Sequence, residues 1–502
     1  VNEGEADTVR AAERFRETIG PRVSAEPTNW TRPRSTGILQ AMLARAARSP
    51  LAVLTLGALA ATAWTTTWEL FAQPSTAAAE PPTADAQDES RNARLGLPER
   101  PEDAPAFRLG PRLLAEPSAE LPGLPIAIED RDGRSLAAFH AALRRAERGA
   151  GQARLVFFGA SHVASDLFTG HVREALQQRF GDAGHGLVLP AHPWRTYRHR
   201  GIELESSRRD WQSEKVRVGT EAPQPFGVHG VYVESSRANA WGRLTTSESG
   251  VGASASLFDV YYQARPDGGS FDVVLDGQPV QTVSTRADVP AGGYATYRVP
   301  DERHVLELRV RGDGPVRFFG VAVEREVPGV IVDTLGINGA RARYQLLWEE
   351  ALYREQLTRR QPDLVVLAYG TNESGDDAPI ERYEEELRAV VARVRETVPN
   401  AACLLVGPSD RPVRRADGTF EDRPRTAQII ETQHRVALES GCGFFDLVAF
   451  TGGPLSMVQW AAHEPPFAAP DHVHFTRRGY ERLGEVLLGA LLDGYDPDAP
   501  SD

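Results

Sequence analysis

From about residue 329 the chain repeats one arrangement: a short, mostly apolar run followed by a stretch of helical periodicity. The runs are "GVIVDTL" at 329–335, "DLVVLAYG" at 363–370, "ACLLVG" at 402–407 and "GFFDL" at 443–447. Apolar runs without polar alternation belong to strands covered on both faces, the state of a parallel sheet between helices. Helices are expected at 340–358, 380–398, 426–440 and 476–492. A further unit lies far upstream, where "LVFFGASHVASDLFTGHVREALQQRFG" at 155–181 reads as strand, tight turn, helix. In it Phe168, Val172, Leu176 and Phe180 fall near i+4 spacing, Asp166 is placed to cap the helix and Gly181 to end it. "SLAAFHAALRRAERG" before it is an amphipathic helix. Strands alternating with helices make a mostly parallel α/β sheet.

Between these parts, residues 201–326 have another texture. Alternating runs such as "LFDVYYQAR", "FDVVLDG" and "HVLELRVRG" are broken by Gly, Pro and Asp turns. That is the pattern of an antiparallel β-sandwich. The α/β domain is therefore expected in two pieces, 129–200 and 327–494, around an inserted sandwich, with a disordered tail at 495–502.

The N-terminal quarter is different again. Residues 51–72 are apolar and Thr-rich, no acid occurs at 28–67, and Arg32, Arg34, Arg45 and Arg48 stand on the N-terminal side. About 20 apolar residues cross a bilayer, and flanking arginines keep their side in the cytoplasm. Residues 1–50 are thus expected in the cytoplasm, with 51–72 a transmembrane anchor. A cleaved signal segment starting from Met42 is the competing reading. Either way the rest is exported. Residues 73–128 hold ten prolines and no period, and read as a disordered tether.

Composition excludes several classes. The 502 residues carry a net charge of −13, a poor match to a nucleic-acid backbone. Lys215 is the sole lysine, so no P-loop exists. Cys403 and Cys442 cannot build a zinc cluster, and two buried thiols are expected in preference to a disulfide. "HEPPF" at 463–467 fails as a zinc-binding helix because prolines break it.

In an open parallel sheet reactive groups collect beyond the carboxyl ends of the strands. Four such segments stand out: "GASH" with Ser161, "GINGAR" with Gly339, "GTNE" with Asn372, and "DHVH" with Asp471 and His474. A serine hydroxyl needs a base oriented by a third group. Asp471, three residues before His474, can hold one ring nitrogen while the other faces Ser161. His472 is the rival base. The amides of Ser161 and Gly339, with the side chain of Asn372, can stabilise an oxyanion.

This ordered set resembles the SGNH (GDSL-like) hydrolases. "GASHVASDLFTGHVREALQQRFGDAGHGLVLP" looks like their peptidoglycan and polysaccharide O-acetylesterase branch, some members of which carry a jelly-roll-like module between the first two blocks. The likeness spans about residues 127–494, with Ala160 where the family has an acid. It implies a flavodoxin-like three-layer α/β sandwich with an inserted antiparallel, jelly-roll-like β-sandwich. It also implies a serine esterase that removes O-acetyl groups from a cell-envelope or extracellular glycan, with no cofactor and no metal. Its catalytic residues would be Ser161, Asp471 and His474, and its oxyanion hole Ser161, Gly339 and Asn372. An O-acyltransferase or lipase-like acyl esterase using the same triad, or a non-catalytic glycan-binding protein, are the alternatives. The expected partners are an acetylated glycan and, through the N-terminal segment, the membrane of a bacterial cell envelope. The sandwich is expected to orient the glycan, with Trp241, Tyr261, Tyr262 and Tyr294 available for stacking, and to supply no catalytic group.

Overall fold

The computed structural model describes residues 112–499 apart from 119, 218 and 221. The expected anchor at 51–72 lies outside the described residues, as does most of the linker. Among the described residues no helix is long and apolar enough to cross a membrane.

The first α/β piece comprises α1 (Ala137–Glu147), β1 (Gln152–Gly159), the single turn α2 (Ser161–Ala164) and α3 (Phe168–Phe180). The β-rich block follows as β2 (Gly184–Val188), β3 (Ile202–Ser206), β4 (Gln212–Lys215), β5 (Val231–Ser235), β6 (Trp241–Thr246) and β7 (Ala255–Ala264). It continues through β8 (Ser270–Leu275), β9 (Gln278–Ser284), β10 (Ala291–Glu302), β11 (Val305–Val310) and β12 (Val316–Glu324). The second piece runs β13 (Gly329–Gly336), α4 (Glu350–Arg360), β14 (Leu364–Ala368), α5 (Ile380–Thr397) and β15 (Ala402–Val406). A small hairpin, β16 (Val413–Arg414) and β17 (Phe420–Glu421), precedes α6 (Pro424–Glu439) and β18 (Gly443–Phe445). The chain then forms α7 (Leu447–Thr451), α8 (Ser456–Ala462) and α9 (Arg477–Leu491).

The central sheet is parallel, in the order β13-β1-β14-β15-β18. Counted along the α/β domain this is 2-1-3-4-5, the flavodoxin-like order, whose switch point lies between β1 and β14. Alternate residues of each strand enter two separate cores. Val156, Phe158, Val365, Leu367 and Leu405 pack with α4, α5 and α6. Leu155, Phe157, Val366, Leu404 and Val406 pack with α1, α3 and α9. Burial on both faces is why these strands read as continuous apolar runs.

The inserted block forms two antiparallel sheets, β10-β7-β12-β5-β4 with β2 on β12, and β3-β6-β11-β8-β9. Its core interleaves Val233, Phe258, Val260 and Phe318 from one sheet with Leu244, Phe271, Val273 and Leu308 from the other. The block begins earlier than residue 201, because β2 already pairs with β12 (Val188↔Val321). Tyr261 is fully buried and is core, not a sugar platform. Tyr294 packs edge-on against it beneath the Arg359 guanidinium.

Sandwich and sheet are joined by buried charge. Arg360 at the end of α4 bonds Asp333 of β13 at 2.8 Å and also pairs with Glu324 of β12. Arg154 of β1 reaches Glu324 at 2.8 Å. Burial alone would raise the Glu324 carboxyl, but Arg360 and Arg154 hold it down at about 2.

Three other expectations change. Cys403 and Cys442 form a disulfide rather than two thiols, since β15 and the approach to β18 bring their Cα atoms within 4.6 Å. The linker's last part, from Arg112, is ordered against the body: Leu113 bridges Ile126, and Leu124 N–H donates to Phe450 O. The tail is fastened at its start, where the Tyr495 ring meets Phe180 and its hydroxyl donates to Glu147.

Breaking a buried ion pair from one side typically costs about 3–5 kcal/mol, because the partner charge stays buried. Arg360→Ala should therefore lower the unfolding free energy by about that amount in urea titrations. A loss below about 1 kcal/mol would mean water solvates Asp333 and Glu324 in the folded chain.

Candidate active site

β1 delivers Ser161 to the switch point. At its end Gly159 pairs with Gly336 on one side and Ala368 on the other. A Cβ at Gly159 would lie 2.4 Å from the Val163 side chain and 2.8 Å from Ala368 O, so only glycine lets α2 turn back this tightly. Ala160, buried where the family resemblance expects an acid, fills the next position. The turn is braced by Asp166, which does not cap α3 as expected. Its buried carboxylate accepts from Thr169 Oγ1, Thr334 Oγ1, Arg173 and the Arg200 amide. Burial opposes its ionisation, yet Arg173 above all holds it far below the usual carboxylate range.

The loop before α9 brings the base. His474 Nε2 lies 2.8 Å from Ser161 Oγ, and its Nδ1 lies 2.7 Å from Asp471 Oδ2. Asp471 Oδ1 also accepts the amides of Val473 and His474, at 3.0 and 2.9 Å. Burial pushes the Asp471 carboxyl up, but these bonds outweigh it and keep it below its ordinary value. The carboxylate thus stays charged and fixes the imidazole with Nδ1 protonated and Nε2 free to accept. His472 is no rival: it adopts φ 55° and its ring lies 4.4 Å from that of Phe420 in the β16–β17 hairpin.

Gly339 and Asn372 stand on the two neighbouring strand ends. Gly339 has φ 76°, with open space where a Cβ would point. Among the described residues the amides of Ser161 and Gly339 donate to no protein group. Asn372 Nδ2 donates to Ala340 O at 2.9 Å, which ties the two loops and leaves its second N–H unused. Glu373, which sequence reasoning passed over, completes the tie. Its carboxylate accepts Ala342 N–H at 2.8 Å and Gly370 N–H at 3.0 Å. Arg341 and Asp376 pair beside it.

His162 was also missed, although it follows Ser161 directly. It is buried, with Nδ1 2.9 Å from Tyr480 Oη and Nε2 3.0 Å from Ser409 Oγ, and its ring centroid is 5.4 Å from that of His474. Burial first, and His474 next, depress it to about 3, so it backs the base as a neutral ring. No signal in sequence spacing marks Ser409 or Tyr480.

A family model for GDSL-like lipases and acylhydrolases matches residues 296–482, a stretch that includes Gly339, Asn372, Asp471 and His474. A solved structure described as a peptidoglycan O-acetylesterase in action is 26% identical, covering 73% of this chain and 99% of its own, with a TM-score of 0.60. A family two carbohydrate esterase from Clostridium thermocellum with cellohexaose is 11% identical, covering 52% and 94%, with a TM-score of 0.25. One from Cellvibrio japonicus is 11% identical, covering 59% and 98%, with a TM-score of 0.25. No curated protein sequence matches.

Asp410, next to Ser409, supplies a pH test of this region. Burial, then Asp422, raises its carboxyl to about 6. A carboxyl raised on folding adds stability while protonated; that contribution is full below its unfolded value of about 4 and is lost as pH rises through about 6. Asp410→Asn can keep accepting the Met457 amide and cannot ionise. Its Tm should exceed the parent's at pH 8 and converge with it at pH 4. The same difference at both pH values would assign the effect to packing.

Proposed function

We propose that the chain is a GDSL-like SGNH hydrolase, a carboxylic ester hydrolase, and that it removes O-acetyl groups from a cell-envelope glycan of the peptidoglycan type. The observation that carries the proposal is the unbroken hydrogen-bond chain from Ser161 Oγ through His474 to Asp471. The substrate class is supported by the likeness, over nearly the whole length of that protein, to a peptidoglycan O-acetylesterase.

In this reading Ser161 Oγ attacks the acetyl carbonyl carbon and passes its proton to His474 Nε2. Asp471 stabilises the imidazolium through Nδ1–H. The carbonyl oxygen, now an oxyanion, receives the amides of Ser161 and Gly339 and the spare N–H of Asn372. Return of the proton to the sugar oxygen expels the free hydroxyl and leaves acetyl-serine. Water then attacks, giving its proton to His474; collapse releases acetate and restores the Ser161 hydroxyl. Each step uses only side chains, backbone amides and water.

Ser161→Ala should abolish acetate release from acetylated peptidoglycan and labelling by a fluorophosphonate. Hydrolysis at the parent's rate would overturn the mechanism.

We also propose that the catalytic body lies outside the cytoplasm, held by the segment at 51–72. The arginine bias before that segment supports this orientation, and the Cys403–Cys442 disulfide suits an oxidising compartment. Protease added to cells whose outer layer is permeabilised should degrade the body. Its full protection while the cytoplasmic membrane stays intact would place it inside.

A further inference from the structure

Lys215 is the only lysine of the chain, and it sits at the end of β4, an edge strand of the inserted sandwich. Its Nζ donates to the carbonyl oxygen of Asn338 at 2.6 Å. Among the described residues no carboxylate pairs with it; the neighbouring Arg217 takes Glu214. Its ammonium lies 5.7 Å from the Trp194 ring, and burial, with Arg217 nearby, pushes it below the ordinary lysine value. A half-buried cation is thus spent on one backbone oxygen.

That oxygen belongs to a particular peptide unit. The C=O of Asn338 and the N–H of Gly339 are two ends of one amide, and among the described residues the N–H end donates to no protein group. A charge-assisted bond at the carbonyl draws electron density from the amide nitrogen and strengthens the opposite N–H as a donor. It also fixes the plane of the peptide, and so the direction of that N–H. The other side of the same loop is held by Asn372 at Ala340 O and by Glu373 at Ala342 N–H. Among the described residues only Lys215 reaches the loop from the sandwich through a hydrogen bond to this peptide.

We propose that Lys215 is a positioning residue for the oxyanion hole, by which the inserted sandwich polarises and orients the Asn338–Gly339 peptide toward the acyl oxyanion. The inference rests on the serine-esterase reading above, and it gives the sandwich a part in the chemistry as well as any part in holding polymer. It accounts for a cation without a carboxylate partner at this joint, where a neutral donor would satisfy the same carbonyl.

The test uses the full chain and a small acetate ester that is too short to reach the sandwich's faces. Removing an oxyanion donor outright costs about 10²–10³ in kcat, so weakening one should cost about tenfold. Lys215→Met should lower kcat about tenfold with KM unchanged, and should weaken inhibition by methylboronic acid, whose serine adduct is anionic and tetrahedral, by a similar factor. Lys215→Arg, which keeps a cation within reach, should recover most of both losses. If Lys215→Met does not fold, Lys215→Gln takes its place, with kcat intermediate between Met-like loss and the parent. A kcat within about twofold of the parent, or a change confined to KM, would overturn the proposal. So would a kcat loss that leaves boronate affinity untouched or that Arg fails to rescue, since a role in folding alone predicts those. Ser161→Ala is assayed alongside. If it retains activity, the esterase reading itself fails, whereas an inactive Ser161→Ala beside a fully active Lys215→Met sinks only this inference.

Discussion

The structure depends on a small buried cluster in which Arg360 and Arg154 neutralise Asp333 and Glu324. Four strands and helices from two domains contribute one charge each: β1, β12, β13 and α4. Charges of this kind are costly to bury and gain that cost back only in mutual, well-aligned bonds. Asp333 carries a second duty, accepting the Leu187 amide of β2 at 2.6 Å. The first and last strands of the inserted block are therefore anchored to the same β13 that ends at the Gly339 loop. An insertion of this size can leave the parallel sheet intact because its entry and exit are pinned beside each other.

From that joint the site is built outward by hydrogen bonds that link loops from distant parts of the sequence. Asp166 locks the serine turn to β13 and to Arg200, between β2 and β3 of the inserted block. Glu373 and Asn372 lock the Gly339 loop to the end of β14. Burial raises the Glu373 carboxyl, and the three amides around it only partly offset that. Its place in "GTNE" is explained by the amides it receives and not by proton transfer. In contrast, Asp471 sits half-exposed and accepts enough bonds to stay ionised, which is the state an orienting carboxylate needs. The two acids differ in task because they differ in solvent access and in the charge of what they face.

The sandwich changes meaning once seen in place. Aromatic residues that look available for sugar stacking are in part core: Tyr261 lies on the face of β7 opposite Phe258 and Val260 and packs in the core shared with the catalytic domain, beside Phe158 and Tyr353. The edge strand β4, unremarkable in sequence, faces the active-site loop. The β-rich block thereby meets the catalytic domain along one shared core that includes Phe226, Val228, Val231 and Phe319.

The parallel α/β sheet and an inserted antiparallel block were legible in the sequence, as were five candidate residues, Ser161, Gly339, Asn372, Asp471 and His474, which the fold gathers at one edge of the sheet. These are legible because each follows from local rules: apolar runs set strands, i+4 spacing sets helices, and reactive residues sit where strands end. Asp471 and His474 were readable as a pair because they stand three positions apart. Features that depend on pairing between remote segments emerged with the fold. It closed the Cys403–Cys442 disulfide, moved the start of the sandwich back to Gly184, ordered the linker from Arg112, and set Lys215 on Asn338. Those contacts join residues tens to hundreds of positions apart, and no local period encodes a distance across the fold.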